Sequence, residues 1–463
     1  MSTEAYDLII IGAGPGGYTA AIRACQLGLK VCLVERDKPG GVCLNWGCIP
    51  TKNMIHQAEI FQSRSELEEM GVAVDVDNFD FSAVVKKSRG AADRLVKGVE
   101  YLLKKNKVEV IKGTAKIITK NSIALEDGTR IDAKNIMIAT GSRSLQVPGF
   151  ETDEKQILSS TGILAQKKLP QSIIILGGGA IGCEFAFIMN AFGVKVHLVE
   201  MMEHILPSED EETVAVLARS FKKKKITVMT GTRALSLHKS DEKVQVNLQV
   251  PGGGQKQIEA EQVLCVFGRT PNTEDFGLES IGLKTEKGYI PVGDYGQTSV
   301  AGVFAIGDVV ATPLLAHVAS KEAENAVEYM AGRQTEACID ETAVPSAIYC
   351  QPQLASFGLR ESQAKERNIP YGKATFPYQA IGKAVATGKG EGLIKVLYDP
   401  DTEEILGGHI VGSNATELIH QLLLAKTNEL IPEDIAKMIH AHPTLSEGIM
   451  EGMREVNGHA IHI

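Results

Sequence analysis

The sequence predicts an α/β chain holding two separate units of parallel sheet flanked by helices, and two observations carry that prediction. The first is a repeat: an apolar strand, a glycine cluster, a helical stretch and a second strand ending in an acid occur twice. The second is size, because 463 residues exceed one ordinary core and two to four domains are expected.

In the first copy an apolar strand over residues 6–11 runs into Gly12-Ala13-Gly14-Pro15-Gly16-Gly17. A helix is expected over 18–27, Gly28 stops it, and a strand over 30–34 ends in Glu35. In the second copy a strand over 172–176 precedes Gly177-Gly178-Gly179-Ala180-Ile181-Gly182. A helix then runs to Phe192, Gly193 stops it, and a strand over 195–199 ends in Glu200. Each acid stands 23 positions after the first glycine of its copy.

Every part of this unit has a physical task. Gly12 and Gly177 allow a tight strand-to-helix turn, and Gly14 and Gly179 let the backbone approach a pyrophosphate. Gly17 and Gly182 let the helix pack close to its strand, so that its free N–H groups point at the phosphates. Glu35 and Glu200 are placed to accept hydrogen bonds from adenosine ribose hydroxyls. A carboxylate there repels a 2′-phosphate, and Met201 and Met202 offer no arginine to bind one, so the second unit should prefer NAD over NADP. One G-x-G-x-x-G alone is a weak signal. Two copies with strand, helix and acid in register specify two Rossmann-like dinucleotide-binding domains, one nucleotide held permanently and one exchanging.

Composition narrows the classes. A net charge of −9 argues against non-specific nucleic-acid binding, and the basic run at 222–225 reads as a solvated helix end. No uncharged stretch reaches the length of a membrane span, and the apolar run at 8–11 meets glycines at once, so it reads as a buried strand rather than a signal peptide. Eight cysteines without an even framework of short spacings fit a reducing, cytoplasmic setting in which any disulfide is catalytic.

One pair stands apart, in Gly41-Val42-Cys43-Leu44-Asn45-Trp46-Gly47-Cys48-Ile49-Pro50-Thr51-Lys52. Five residues along an unbroken helix separate Cα atoms by roughly 8–9 Å. A disulfide needs them within about 7 Å. Bonding Cys43 to Cys48 therefore demands a distorted first turn, and Gly47 and Pro50 are the places to bend it. Two reduced core cysteines, or half of a metal site, are the alternatives, although no second Cys or His pair stands nearby. Cys25, Cys32, Cys183, Cys265, Cys338 and Cys350 read as small core residues.

These residues together resemble the pyridine nucleotide-disulfide oxidoreductases, over essentially the whole chain. Ala139-Thr140-Gly141-Ser142 is similar to that family's A-T-G-S turn, and Gly268-Arg269-Thr270-Pro271-Asn272 to its G-R-x-P-N segment. Val303-Phe304-Ala305-Ile306-Gly307-Asp308 resembles the second flavin motif, and Leu315-Ala316-His317 the stretch beneath the flavin ring. His442-Pro443-Thr444-Leu445-Ser446-Glu447 resembles its H-P-T-x-S-E base motif.

The resemblance implies an FAD-binding domain with the redox-active disulfide over 1–145, an NAD-binding domain over 146–270, a central domain over 271–342, and a C-terminal α+β dimerisation domain over 343–463. It implies that Cys43 and Cys48 form the redox pair, that Lys52 lies beside the flavin with Glu184 as its ion-pair partner, and that His442 is a general base oriented by Glu447. Cofactor-binding positions implied are Gly12, Gly14, Gly17, Glu35, Lys52, Ala115, Thr140, Gly141, Ser142, Asp308, Leu315, Ala316 and His317, then Gly177, Gly179, Ile181, Gly182, Glu200, Ala234, Gly268 and Arg269. No metal is implied. Each site of a homodimer would draw His442 from the other protomer. His440, His459 and His462 have no such match.

Within the family, Glu200-Met201-Met202 argues against the NADP-linked reductases, and the C-terminus lacks the vicinal cysteines of the mercuric reductases. The stretch from Gly41 to Lys52, together with Leu315-Ala316-His317-Val318-Ala319, looks most like the branch that oxidises a protein-bound dihydrolipoyl group through a disulfide and FAD, with NAD as acceptor. Its partners are lipoyl domains and the acyltransferase core of 2-oxoacid dehydrogenase complexes, or a glycine-cleavage carrier, with no nucleic acid or membrane involved. Another disulfide substrate, or a mainly structural subunit, is the alternative. Tyr349-Cys350-Gln351-Pro352-Gln353 departs from the usual Y-T-x-P-E, which bears on dimer contacts rather than chemistry.

Overall fold

Apolar β-branched runs, each ending in a glycine with positive φ, fold into the central strands of two sheets in the computed structural model, which describes residues 6–463. Glu4 and the rest of residues 1–5 lie outside the described residues. In the first sheet Glu109–Lys112, Val31–Glu35, Tyr6–Ile11 and Arg130–Ile138 lie side by side and parallel. Leu8, Ile9 and Ile10 are wholly buried, as expected of a parallel strand covered on both faces. The early part of Arg130–Ile138 continues antiparallel into Ser122–Leu125 and Ala115–Thr119. Val303–Ala305 then returns from far along the chain to join the same strand in parallel.

The second sheet repeats the plan with Thr227–Met229, Lys195–Val199, Ser172–Leu176, Gln262–Cys265 and Ile157–Leu158, all parallel. A three-stranded antiparallel meander over Arg233–Lys239, Val244–Gln249 and Gln255–Ala260 packs beside it. The C-terminal unit is an antiparallel sheet in the order Ser346–Ile348, Gln353–Gly358, Ile405–Gly412, Leu393–Tyr398, Gly372–Pro377. Helices Ala415–Thr427 and Ser446–Glu455 pack on it, while helix Glu211–Lys223 of the second unit also meets its strands. The architecture is thus α/β with two Rossmann-like units and a C-terminal α+β unit.

Two expectations need correction. The helix of the first glycine loop begins at Pro15, three residues before the predicted start, because Pro15 occupies its first position directly after Gly14. The basic run at 222–225 is not wholly solvated: Lys224 donates to the Ser220 hydroxyl at 2.8 Å and the Gln351 carbonyl at 3.1 Å, tying helix to C-terminal unit. Among the described residues no helix is long and apolar enough to cross a membrane.

Candidate active site

The glycine loops follow the same packing rules in both units. Gly12 and Gly177 have φ of +102° and +115°, and a Cβ on either would run into the carbonyl of Ala139 or Val266. A Cβ on Gly17 or Gly182 would collide with the Gly12 or Gly177 carbonyl, so only glycine lets these helices sit so close. At Gly14 and Gly179, by contrast, nothing lies within 4 Å. Helices Pro15–Gln26 and Ala180–Ala191 both start there without a side-chain cap, leaving first-turn N–H groups facing open space. That combination fits an anionic pyrophosphate twice over.

The acids also behave alike. Glu35 accepts from the N–H of Ala13 at 2.7 Å and of Asp37 at 2.8 Å. Glu200 accepts from Gly178 at 2.6 Å and Met202 at 2.8 Å, with the side chains of both methionines exposed beyond it. One oxygen of each carboxylate holds its glycine loop, and Glu200 is followed by Met201 and Met202 rather than by an arginine that would accept a 2′-phosphate. Equivalence extends further: Gly113 N–H donates to the Glu35 carbonyl and Thr232 N–H to the Glu200 carbonyl, both at 2.9 Å. Ala115 and Ala234 each follow two positions later, on strands leaving the acid's end of the sheet.

The cysteines are joined. Cys43 lies in helix Gly41–Trp46 and Cys48 opens helix Cys48–Gln62, with Gly47 between them at φ −146°, ψ −109°. This break brings the two Cα atoms to 4.8 Å, and the Cys43–Cys48 disulfide closes across it. Gly47 alone makes the bend; Pro50 sits inside the first turn of the second helix. A Cβ at Gly47 would stand 3.1 Å from the Val42 carbonyl, so a side chain would press on the first helix. Buried Asn45 donates to the carbonyls of Pro39 and Gly41, and Thr51 donates its hydroxyl to Gly47 at 2.7 Å. The Arg89 guanidinium lies 4.6 Å from the Trp46 ring. Once reduced, Cys48 sits at the positive end of a helix of 15 residues, which favours its thiolate.

One turn on, Lys52 donates to both oxygens of Glu184 at 2.9 and 3.0 Å. Glu184 is buried on the second fingerprint helix and also accepts the Tyr349 N–H at 3.1 Å, while the Tyr349 ring lies 4.6 Å from the Lys52 ammonium. Burial beside these charges pushes the Tyr349 hydroxyl's pKa up. The 349–353 segment therefore reaches the lysine of the redox helix within one chain, through the tyrosine it shares with the family pattern. Sequence reasoning named Tyr349 only as part of this segment and gave it no role at Lys52; its match to the family's leading Y was the available signal. Gln351 reaches Glu59 on the same redox helix.

Thr140 and Asn272 exchange two bonds at 2.8 and 2.9 Å, and Gly141 accepts the Asn272 N–H at 2.9 Å. Arg269 donates to the Ser142 hydroxyl at 2.6 Å and carbonyl at 2.7 Å, and that hydroxyl in turn meets Asp308. Arg269 also faces Asp308 at 3.6 Å, and its burial pulls its pKa down. Gly268 has φ +135° and accepts the Leu145 N–H. Leu315 caps helix Ala316–Met330, whose His317 ring bonds the Pro345 carbonyl at 2.9 Å. Half-buried Glu322 on that helix accepts the Gly307 N–H at 2.7 Å, and desolvation raises its pKa.

His442 stands on the C-terminal unit with its ring 75% exposed, and its Nδ1 meets Glu447 Oε1 at 2.9 Å. The other oxygen of Glu447 takes the Thr444 N–H at 2.8 Å. Burial pushes Glu447 up, but these two bonds prevail and hold it below the usual carboxylate range. A carboxylate so held keeps the imidazole in one orientation with Nε2 free to take a proton. His440 bonds only a backbone carbonyl, and His462 lies 3.5 Å from Glu451.

Four remaining thiols, Cys32, Cys183, Cys265 and Cys350, are buried, and burial pushes Cys32 and Cys265 up to about 12. Cys25 is half-buried. Cys338 contradicts its core assignment: it is exposed and faces Asp294.

Residues 6–323 match the pyridine nucleotide-disulphide oxidoreductase family model, and residues 344–453 match that family's dimerisation domain. Dihydrolipoyl dehydrogenase of Bacillus subtilis is 40% identical over 477 residues, covering all of both chains. That of Chlorobaculum tepidum is 42% identical, covering 96% of each, and the mitochondrial dihydrolipoyl dehydrogenase 1 of Arabidopsis thaliana is 40% identical, covering 99% of this chain and 91% of its own. Among solved structures, the flavoprotein disulfide reductase RclA of Escherichia coli superposes with TM-score 0.87 at 26% identity, covering 98% of this chain and 100% of its own. LpdA of Mycobacterium tuberculosis shares the fold with TM-score 0.89 at 24% identity, covering 97% and 99%.

Proposed function

The chain belongs to the pyridine nucleotide-disulphide oxidoreductase family, and from that premise we propose that it is a dihydrolipoyl dehydrogenase, oxidising a protein-bound dihydrolipoyl group to its disulfide with FAD and NAD. The observation that carries this reading is the Cys43–Cys48 disulfide, closed across the Gly47 break in a chain with two nucleotide loops.

FAD fits the first loop, with Gly12, Gly14, Gly17, Glu35, Ala115, Thr140, Gly141, Ser142, Asp308, Leu315, Ala316 and His317 as its neighbours. NAD fits the second, with Gly177, Gly179, Ile181, Gly182, Glu200, Ala234, Gly268 and Arg269. Bound FAD supplies a two-electron relay between the cysteine thiols and NAD. His442, held by Glu447, takes a proton from one substrate thiol. The resulting thiolate attacks Cys43 and breaks the Cys43–Cys48 bond, giving a mixed disulfide and a Cys48 thiolate. The second substrate thiol then displaces Cys43, so the substrate leaves oxidised and the enzyme pair is reduced by two electrons. Lys52 would place its positive charge beside the flavin, and Glu184 holds Lys52. The working unit is a homodimer in which His442 of one protomer serves the cysteine pair of the other, which accounts for its exposed ring. Cytoplasmic 2-oxoacid dehydrogenase complexes, or a glycine-cleavage carrier, would present the lipoyl group.

The test is anaerobic reduction of NAD by dihydrolipoamide with the purified flavoprotein, beside NADP and a Cys48→Ser variant. Fast NAD reduction that vanishes in the variant and is weak with NADP supports the reading. No turnover, with FAD bound and the disulfide reducible, overturns the substrate and points to another disulfide.

A further inference from the structure

The C-terminal sheet carries a line of polar side chains across all five strands, among strands otherwise rich in apolar residues. Strand register sets Ser346 beside Ser356, Ser356 beside His409, His409 beside Lys395, and Lys395 beside Thr375. Lys395 and His409 are completely buried and Ser356 nearly so. Polar groups buried in this way are costly unless each finds a partner. The partners come largely from another unit. Glu209 accepts the Ser346 and Ser356 hydroxyls at 2.7 and 2.5 Å. Asp210 accepts the Lys395 ammonium at 2.8 Å, with Glu212 and Glu361 each also 2.8 Å from it. Lys373 and Lys365 balance these carboxylates from the rim, and Arg360 donates to the Pro207 carbonyl at 3.0 Å.

Glu209 and Asp210 end the loop that leaves Glu200, the acid of the second nucleotide unit. That loop is tied at its other end to the nucleotide residues themselves. Met202 donates to Glu200 and accepts the Gly231 N–H at 2.7 Å, and Leu206 donates to the Gly178 carbonyl at 2.8 Å. Gly178 in turn donates to Glu200 at 2.6 Å. The 201–210 loop therefore bridges the glycine loop and acid on one side and the polar row of the C-terminal sheet on the other.

We infer that Lys395, with Glu209 and Asp210, is a positioning device for the adenosine half of NAD: the C-terminal sheet sets the 201–210 loop, and the loop sets Glu200 and Gly178. This rests on the proposal that the second loop takes NAD. An apolar residue in place of Lys395 would fill the same space, but a lysine held by three carboxylates defines a single docking geometry. Among the described residues no hydrogen bond joins the row to Cys43, Cys48 or Lys52, so its loss should act on nucleotide binding and spare the thiol half of the reaction.

The experiment uses the dimeric holoenzyme with Lys395→Met and, separately, Glu209→Gln. NADH binding is measured by equilibrium titration, KM for NAD in turnover, the rate of anaerobic reduction by dihydrolipoamide by stopped flow, and amide exchange at Leu206 and Gly178. In both variants the NADH dissociation constant and KM should rise about ten-fold, exchange at Leu206 should speed up, and thiol reduction should stay within about two-fold. If Lys395→Met does not accumulate as folded flavoprotein, Glu209→Gln carries the test. Tight wild-type binding matched by both variants, or equal losses in both half-reactions, overturns the inference alone. A wild-type enzyme that binds no nicotinamide nucleotide overturns the functional reading with it.

Discussion

Replacing Glu184 by Gln strips the Lys52 ammonium of its counter-charge while keeping an oxygen for the Tyr349 N–H. At 2.9 Å and an effective dielectric constant of about 20 the pair gains roughly 6 kcal/mol gross. Most of that is offset. Lys52 is 32% exposed, so water screens the attraction and rehydrates the freed ammonium. The Tyr349 ring, 4.6 Å away, retains a cation–π attraction of about 0.5–1 kcal/mol. Glu184 is only 5% exposed, so the group that replaces it stays desolvated and the net loss settles at about 2 kcal/mol. Urea unfolding of wild type and Glu184→Gln, at matched FAD saturation and protein concentration, should show this as a lower midpoint at unchanged slope. Stopped-flow reduction by dihydrolipoamide should slow, because Lys52 loses the carboxylate that fixes it on the redox helix, while NADH binding stays unchanged. A destabilisation under about 0.5 kcal/mol with an unaltered reduction rate would refute the reasoning, since the pair would then be no more than an exposed surface bridge.

The glycine loops make a matched prediction: Gly17→Ala and Gly182→Ala each force a methyl against the carbonyl of the loop's first glycine, Gly12 or Gly177, costing about 1–3 kcal/mol locally. Gly17→Ala should purify with little FAD, and Gly182→Ala should stay yellow but bind NADH weakly, as read from flavin absorbance and NADH titration. Glu200→Gln keeps an acceptor for Gly178 but removes the charge, so KM for NAD should rise about ten-fold and discrimination against NADP should narrow. His409 is fully buried, and burial lowers its pKa from the ordinary value of about 6.5, so its folded state favours the neutral ring. Its contribution is complete above pH 6.5 or so and declines as pH falls below that toward the lowered folded value. Buried Glu209, with a raised pKa, acts with the opposite sign as pH rises. The His409 part is isolated by comparing wild type with His409→Gln in urea at pH 5.5 and 7.5; an equal pH dependence in the two would exclude it.

What the sequence made readable depended on local chemistry. The doubled strand–glycine–helix–acid unit was legible because each feature is dictated within a few residues by backbone sterics, whereas the equivalence of Ala115 and Ala234, far along the chain from their acids, is seen only in the folded sheets. The cysteine pair was legible as needing a break, and Gly47 supplied it alone; which of Gly47 and Pro50 would bend was a matter of φ/ψ that composition does not state. Apart from Lys52 with Glu184, which the family resemblance implied, the contacts between units described above were not legible. Tyr349 over Lys52, Lys224 on the Gln351 carbonyl, and Asp210 beneath Lys395 each join positions more than 100 residues apart. Lys395 in particular sits in a strand that reads as apolar, and only strand register reveals its polar neighbours. Cys338 was misjudged because a cysteine's burial depends on what packs over it.

The strand Val303–Ala305 has a consequence for how the molecule comes into being. It completes the sheet begun at Tyr6, yet the whole second unit is translated in between. During synthesis the first unit therefore waits with one flank of Ile136, Met137 and Ile138 bare, its unpaired N–H and C=O groups open to misassembly. Order along the messenger is not order of completion. A recombinant fragment ending at residue 145 should behave as an aggregation-prone half-sheet, and one in which residues 303–330 are spliced directly after residue 145 should fold and hold FAD far better.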